Sequence, residues 1–180
     1  MQIVKKGTVG LVVDVQERLF PVMVEKEKLL GNCLILITGL QELDVPLVVT
    51  QQYTKGLGHT IKELSEELNQ ITPIEKCGFS CCDEPGFLKK LKELNAKNII
   101  ICGIESHICV LQTAIDLKES GFNPIVVINC VSSRKKEDIE LAKERFRFEK
   151  IMMASYESIL FELTGSSSAP EFKTISKLVR

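Results

Sequence analysis

Short apolar runs alternate with longer segments of helical periodicity along most of the chain. The apolar runs are rich in Val and Ile and predict strands, and the segments between them predict helices. The predicted strands cover residues 8–15, 45–53, 70–80, 98–103, 123–133 and 150–155, and the predicted helices cover residues 25–43, 61–69, 84–96, 107–121, 135–149 and 156–165.

The predicted strands are apolar throughout instead of at alternate positions. Such strands are typical of a parallel sheet with helices on both faces, because a sheet with one wet face needs polar residues at every second position. Right-handed crossovers between the strands complete this arrangement. The pattern therefore predicts an α/β fold, a three-layer α/β/α sandwich whose doubly wound, Rossmann-like parallel sheet has about six strands.

The length of the chain favours one domain over residues 1–180. A Ser-rich break, GSSSAP, opens the C-terminal segment 165–180, which is either a frayed end or a helix that packs on the domain or on another subunit. The N-terminal segment MQIVKKGTVGLVVD has two lysines but no apolar stretch followed by a small-residue cleavage site. The longest apolar runs are strand-sized. We therefore expect a cytoplasmic protein without a membrane partner.

Charge and cysteine content argue against several classes of protein. The chain has 23 basic and 24 acidic residues, and its net charge of −1 gives no electrostatic signature of a nucleic-acid-binding protein. Its seven cysteines are an odd number, which does not suggest a disulfide framework. Cys77, Cys81 and Cys82 are clustered but lack a second ligand pair, and His59 and His107 are the only histidines. The sequence therefore predicts no metal site.

Three chemically active side chains follow predicted strands. Asp14 ends the first strand, Lys76 lies where the third segment, 70–80, changes from a weak strand to a loop, and Cys109 comes after the fourth strand, at the first turn of the next helix. In a doubly wound sheet, ligands bind at the carboxyl ends of the strands, where the winding reverses direction. We therefore expect a carboxylate, an ammonium and a thiol at one edge of the sheet.

Such a group could carry out nucleophilic catalysis. A helix N-terminus and a nearby ammonium favour a thiolate at Cys109, and Asp14 can take the thiol proton. Backbone N–H groups from around Glu105 and Cys109 could stabilise an oxyanion. The assembly suits attack on an amide, imide or ester carbonyl, with a thioester that water releases and with Asp14 returning the proton to the leaving group.

Each of these residues also has a plain structural interpretation. Asp14 could cap a turn, Lys76 could be a solvated loop lysine, and Cys109 could be a core residue. His107 is a rival base, but it lies only two residues before Cys109, and residues two apart on a helix do not face each other. We expect His107 to shape the loop or a subunit contact.

The segment GIESHICV, residues 103–110, resembles the nucleophile turn of the isochorismatase-like cysteine hydrolases. The family triad of Asp, Lys and Cys maps onto Asp14 in VVDVQ, Lys76 in EKCGFS and Cys109 in ESHICV. The resemblance also implies a cis peptide bond between Ile104 and Glu105 and an oxyanion hole formed by the N–H groups of Glu105 and Cys109. TQQYTKGLG and SSSAPEFKTISKLV resemble segments of small isochorismatase-domain proteins.

The resemblance implies a metal-independent cysteine hydrolase that cleaves an amide or carbamoyl C–N bond of a small-molecule substrate, without a cofactor. Nicotinamidases of this superfamily place metal-ligating Asp and His residues after the second strand, where this chain offers only His59. The resemblance further implies a homo-oligomer, a dimer or an assembly of dimers. Gln51, Tyr53 and Phe79 are candidates for lining the pocket, or alternatively local packing residues.

Two other functions remain open at this point. A non-catalytic oligomeric binding or scaffold protein could use the same fold. A doubly wound nucleotide or flavin binder is less well supported, because DVQERLFP after the first strand is not a glycine-rich phosphate-binding turn.

Overall fold

Six parallel strands form one sheet in the order β3-β2-β1-β4-β5-β6 in the computed structural model, which describes residues 2–68 and 71–180. The order reverses direction between β1 and β4, so the sheet is doubly wound, as predicted. The strands are β1 (Thr8–Val13), β2 (Leu47–Gln52), β3 (Ile74–Lys76), β4 (Asn98–Ile104), β5 (Asn123–Ser132) and β6 (Met152–Ala154).

Helices cover both faces of the sheet and confirm the predicted three-layer α/β/α sandwich. They are α1 (Lys26–Glu42), α2 (Thr54–Leu57), α3 (Lys62–Glu67), α4 (Pro85–Glu93), α5 (Leu111–Glu119), α6 (Lys136–Phe148), α7 (Tyr156–Thr164) and α8 (Phe172–Leu178). None of the helices in the described chain is both long enough and apolar enough to cross a membrane.

The apolar strands supply two separate cores. Val12 and Ile100 belong to a buried cluster with residues of α1, α7 and α8, whereas their neighbours Leu11 and Ile101 belong to a second cluster with residues of α4, α5 and α6. Successive side chains of a strand point to opposite faces. Because both faces are buried, apolar residues occupy most strand positions on both faces, which explains the pattern of the sequence.

Strand β3 occupies only Ile74–Lys76 of the segment 70–80, which the sequence predicts to be a weak strand running into a loop. Only Ile74–Lys76 pairs with β2, and residues 69 and 70, at the ends of two predicted elements, lie outside the described residues. Pro73, just before β3, has no N–H to donate to a ladder. Beyond Lys76, the carbonyl oxygens of Gly78 and Phe79 accept hydrogen bonds from the Lys76 ammonium. The chain therefore turns around its own lysine instead of extending the strand.

The C-terminal segment forms a packing helix. In α8, Ile175 is buried in the core beside α1 and α7, and the rings of Phe161 and Phe172 lie 6.2 Å apart. Of the two interpretations given above, the packed helix is therefore the right one.

Gly103 allows β4 to pass close to β1 near the carboxyl end of the sheet. Its φ is +119°, and a Cβ built there would lie 2.1 Å from the carbonyl oxygen of Val13. We expect Gly103→Ala to lower the free energy of unfolding by about 3 kcal/mol or more, because both the backbone conformation and the contact are unfavourable. Urea denaturation measures this loss.

Gly31 provides the matched control. It lies inside α1, and a Cβ there would meet nothing within 4 Å. Gly31→Ala should raise the free energy of unfolding by about 0.5–1 kcal/mol, because Ala has the higher helix propensity. Similar stabilities of the two variants would contradict this account of Gly103.

Candidate active site

The fold brings Asp14, Lys76 and Cys109 together at the carboxyl edge of the sheet. Asp14 directly follows β1 with a left-handed φ of 50°, Lys76 ends β3, and Cys109 lies in a π-helical turn (Ser106–Val110) between β4 and α5. All three are buried, with exposed fractions of 0% for Asp14, 2% for Lys76 and 6% for Cys109. Asp14 and Cys109 therefore flank the point at which the sheet reverses its winding, where such folds bind ligands.

The ammonium of Lys76 is held by four oxygen atoms. It donates hydrogen bonds to Gln52 Oε1 (2.7 Å), Gly78 O (3.2 Å) and Phe79 O (3.0 Å), and it lies 2.7 Å from Asp14 Oδ2. Burial has the largest single effect on Lys76 and acts to lower its pKa, but the charge of Asp14, the thiols of Cys81 and Cys109 and the hydrogen bond to Asp14 together outweigh it, so that the pKa is raised. The side chain therefore stays cationic.

The two oxygens of the Asp14 carboxylate differ in their hydrogen bonding to the described residues. Oδ1 accepts from Thr50 Oγ1 at 2.8 Å. Oδ2 is fully buried and, within the described residues, accepts no hydrogen bond of regular geometry, although the Lys76 ammonium lies 2.7 Å away. The contact between the two groups is an ion pair. A buried oxygen of this kind is free to accept a proton.

Cys109 rests as a neutral thiol. Burial, followed by the negative charge of Asp14, raises the pKa of Cys109 to about 12, although Lys76 acts in the opposite direction. The expectation of a thiolate is therefore wrong for the resting site. Burial and the Asp14 carboxylate raise the pKa of Cys109 by more than the helix N-terminus and the Lys76 ammonium lower it. The thiol must lose its proton during attack, and a base must stand ready for it.

The nucleophile turn has an unusual hydrogen-bonding pattern. The peptide bond between Ile104 and Glu105 is cis, as the resemblance implied. The carbonyl of Glu105 accepts from the N–H groups of Ile108 (3.1 Å) and Val110 (3.2 Å). An α-helical turn would instead use the N–H of Cys109, and no bond from that group to Glu105 is present in the described part of the chain.

The turn is also connected to the residues that follow β5. The Glu105 carboxylate accepts from the backbone N–H and the Nε of Arg134, each at 3.1 Å. The ring of His107 contacts Ser133 at 2.8 Å and Asp138 at 3.7 Å. His107 is thus engaged with this segment and is not placed as a base for Cys109.

The pocket residues expected from the sequence are only partly brought to the triad. Tyr53 and Phe79 lie beside it and are half exposed, and their role in a pocket stays a prediction. Gln51 is directed elsewhere, since its amide donates to Thr60 Oγ1 at 2.9 Å in a different cavity. The alternation of side chains along β2 explains this, because residues on either side of Gln51 face the triad instead.

Sequence reasoning missed two residues of β2, Thr50 and Gln52. They contact Asp14 and Lys76, respectively, and the period of two along the strand was the signal that could have identified them. Cys81 also approaches the site, with its thiol 3.7 Å from Thr50 Oγ1, and burial raises its pKa to about 11. Within residues 2–68 and 71–180, no three His, Cys, Asp or Glu side chains are grouped to hold a metal ion.

Several known proteins are similar to this chain in both sequence and fold. The model of the isochorismatase domain matches residues 8–155. The isochorismatase domain-containing protein 2 of Danio rerio is 34% identical over 175 residues, which are 97% of this chain and 87% of that protein. A secreted isochorismatase effector, Isc1, of Phytophthora sojae is 33% identical over 184 residues, with coverage of 99% and 87%.

Solved structures extend this similarity. The MAR1 ribonuclease of Caenorhabditis elegans has a TM-score of 0.94 and 34% identity, covering 99% of this chain and 92% of that one. The YcaC gene product of Escherichia coli, described as an octameric hydrolase of unknown specificity, has a TM-score of 0.92 with 22% identity and coverage of 99% and 89%. The family match covers all six strands of the sheet and Asp14, Lys76 and Cys109. The chain therefore belongs to the isochorismatase domain family.

Proposed function

We propose that the protein is a metal-independent cysteine hydrolase that cleaves the C–N bond of a small amide or carbamoyl compound. One observation carries this proposal above the others. A neutral thiol at Cys109 shares a buried site with a carboxylate oxygen of Asp14 that accepts no regular hydrogen bond from the described residues, and Lys76 holds that carboxylate in place. A scaffold protein would gain nothing from such a costly group of buried charges.

The geometry supports a two-step reaction. As Cys109 Sγ attacks the carbonyl carbon, its proton passes to Asp14 Oδ2, and the N–H groups of Glu105 and Cys109 stabilise the oxyanion. Asp14 then gives the proton to the leaving nitrogen, and a thioester remains. Asp14 takes a proton from a water molecule that attacks the thioester and passes it to the departing sulfur, so that the acid and the free thiol are released. Lys76 holds the Asp14 carboxylate in position through their ion pair.

The relatives support the proposal to different degrees. The E. coli protein of the same fold is called a hydrolase and an octamer, which supports a hydrolase that works as a homo-oligomer. The C. elegans protein is called a ribonuclease, so that RNA belongs among the compounds to be tested. The P. sojae relative is named as secreted, and a cytoplasmic location stays a prediction.

The test is hydrolysis by the purified protein with and without its nucleophile. Small primary amides, carbamoyl compounds, p-nitrophenyl acetate and an RNA oligomer are each offered to the wild type, to Cys109→Ala and to Cys77→Ala, which alters an exposed thiol. We expect Cys109→Ala to lower amide turnover at least about 10³-fold and Cys77→Ala to leave it unchanged. A chelator should have no effect.

Two results would contradict the proposal. One is turnover of amides by Cys109→Ala at the wild-type rate. The other is a wild-type protein whose Cys109 is acylated by none of the carbonyl compounds, which would favour the scaffold function. Cleavage of RNA that survives Cys109→Ala would point to a different site.

A further inference from the structure

A chain of hydrogen bonds joins the nucleophile turn to the segment after β5. Ser106 Oγ lies 2.6 Å from Ser133 Oγ, and Ser133 Oγ lies 2.8 Å from His107 Nδ1. His107 Nε2 faces Asp138 Oδ2 of α6 at 3.7 Å, which is longer than a hydrogen bond. The reaction proposed above uses none of these four side chains.

One arrangement of donors and acceptors is favourable along this series of hydrogen bonds. The Asp138 carboxylate favours a proton on Nε2 of His107, which leaves Nδ1 as an acceptor. Ser133 has a single hydroxyl proton and donates it to Nδ1, so Ser106 must donate to Ser133. Both serines are completely buried, and a buried hydroxyl without a partner is costly. This series of hydrogen bonds therefore fixes the Ser106 side chain in one orientation.

A second connection runs parallel to the first. The Glu105 carboxylate is almost fully buried and accepts two hydrogen bonds from Arg134, one from its backbone and one from its side chain. Three successive residues of the turn, Glu105, Ser106 and His107, are thus attached to Ser133 and Arg134. These three residues precede Cys109 in the turn, so their positions determine where the Cys109 N–H points.

We propose that His107 and Ser133 are positioning residues, which hold the nucleophile turn in the shape that directs the N–H groups of Glu105 and Cys109 at one point. The inference rests on the proposed hydrolase function. It explains how a π-helical turn, which lacks the regular i→i−4 bonds of an α-helix, keeps two backbone donors aligned. Oxyanion stabilisation requires donors that are fixed before the reaction, and side chains outside the site must supply that rigidity.

Two reactions of the same thiol can separate positioning from general structural support. Acylation of Cys109 by p-nitrophenyl acetate passes through a tetrahedral oxyanion and releases p-nitrophenolate. Alkylation by iodoacetamide displaces iodide at a saturated carbon and forms no oxyanion. Loss of donor alignment should slow acylation only, whereas a general disturbance of the site should slow both.

Substitutions of His107 provide a matched pair. His107→Asn keeps a hydrogen-bonding group near the position of Nδ1, within reach of Ser133, and His107→Gln keeps one near the position of Nε2, towards Asp138. We expect Ser133→Ala and His107→Gln to lower the acylation rate at least about tenfold, since one oxyanion donor is worth about 10²–10³-fold. His107→Asn should retain acylation to within about threefold, and alkylation should stay within about twofold in all variants.

The exposed His59 serves as the control, and His59→Asn should change neither rate. A parallel fall of acylation and alkylation in Ser133→Ala and His107→Gln would overturn the inference, and so would an unchanged acylation rate in both. A wild-type protein without acylation at Cys109 would overturn the proposed function itself. Thermal unfolding of each variant confirms that the rates belong to folded protein.

Discussion

Replacing Asp14 with Asn should speed the alkylation of Cys109 while abolishing hydrolysis. The carboxylate is one of the causes that raise the pKa of Cys109 to about 12, and Lys76 acts against it. Without the carboxylate, the ammonium of Lys76 stabilises the thiolate alone, and the pKa of Cys109 falls. Iodoacetamide should then react on the order of tenfold faster at pH 7–8, since the larger thiolate fraction outweighs its lower nucleophilicity.

Hydrolysis should respond in the opposite direction. The side-chain amide of the Asp14→Asn variant can neither take the thiol proton nor return it to the leaving nitrogen, so turnover should fall by about 10²–10⁴-fold. Thr50→Val is the matched control, because it removes the hydrogen bond to Asp14 Oδ1 without removing the charge. We expect this variant to keep a slow alkylation rate that still rises between pH 7 and 10. Alkylation of Asp14→Asn as slow as that of the wild type would show that Asp14 does not control the thiol.

The arrangement of the triad could be predicted from the sequence because it depends on the chain direction alone. Asp14 follows β1 and Lys76 ends β3, and all strands of a parallel sheet end at the same edge. Cys109 follows β4 by the length of one turn. Apolar periodicity sets the strand ends, and the strand ends set which side chains can meet.

Other features of the site depend on contacts that periodicity does not encode. Ser106 meets Ser133 only because the ends of β4 and β5 are adjacent, and Glu105 meets Arg134 for the same reason. The protonation of Cys109 results from a balance of burial and two opposite charges, and that balance requires distances. Alternation along β2 places Thr50 and Gln52 on one face and Gln51 on the other, so that the polar character of Gln51 alone gave the wrong residue.

The buried pair of Asp14 and Lys76 connects the reaction with the stability of the fold. Burial of two ions is costly, and the attraction between them offsets that cost only while both are present. Lys76 additionally satisfies three neutral oxygens, including two carbonyls of the loop after β3. The loop that shapes the site is thus held by the same ammonium that forms the ion pair with the base.

A double-mutant cycle on this pair should show strong coupling. Lys76→Met leaves the Asp14 carboxylate without its counter-ion, and Asp14→Asn leaves the ammonium without its own, so each single variant should lose about 3–5 kcal/mol of unfolding free energy. In the double variant no buried charge remains, although Gln52, Gly78 and Phe79 still lack their donor. Its loss should therefore be smaller than the sum of the single losses by about 2–3 kcal/mol.

Urea denaturation of the wild type and the three variants measures the coupling, and amide turnover is followed on the same samples. The double variant should lose less stability than the two single losses together, but it should show no amide turnover, because the base and its counter-ion are both absent. Additive losses would mean that the two charges are screened from each other, and the site would then lack the low polarity that keeps Cys109 a neutral thiol. A stable but inactive double variant would instead show that the buried pair is kept for the reaction and that the fold alone does not require it.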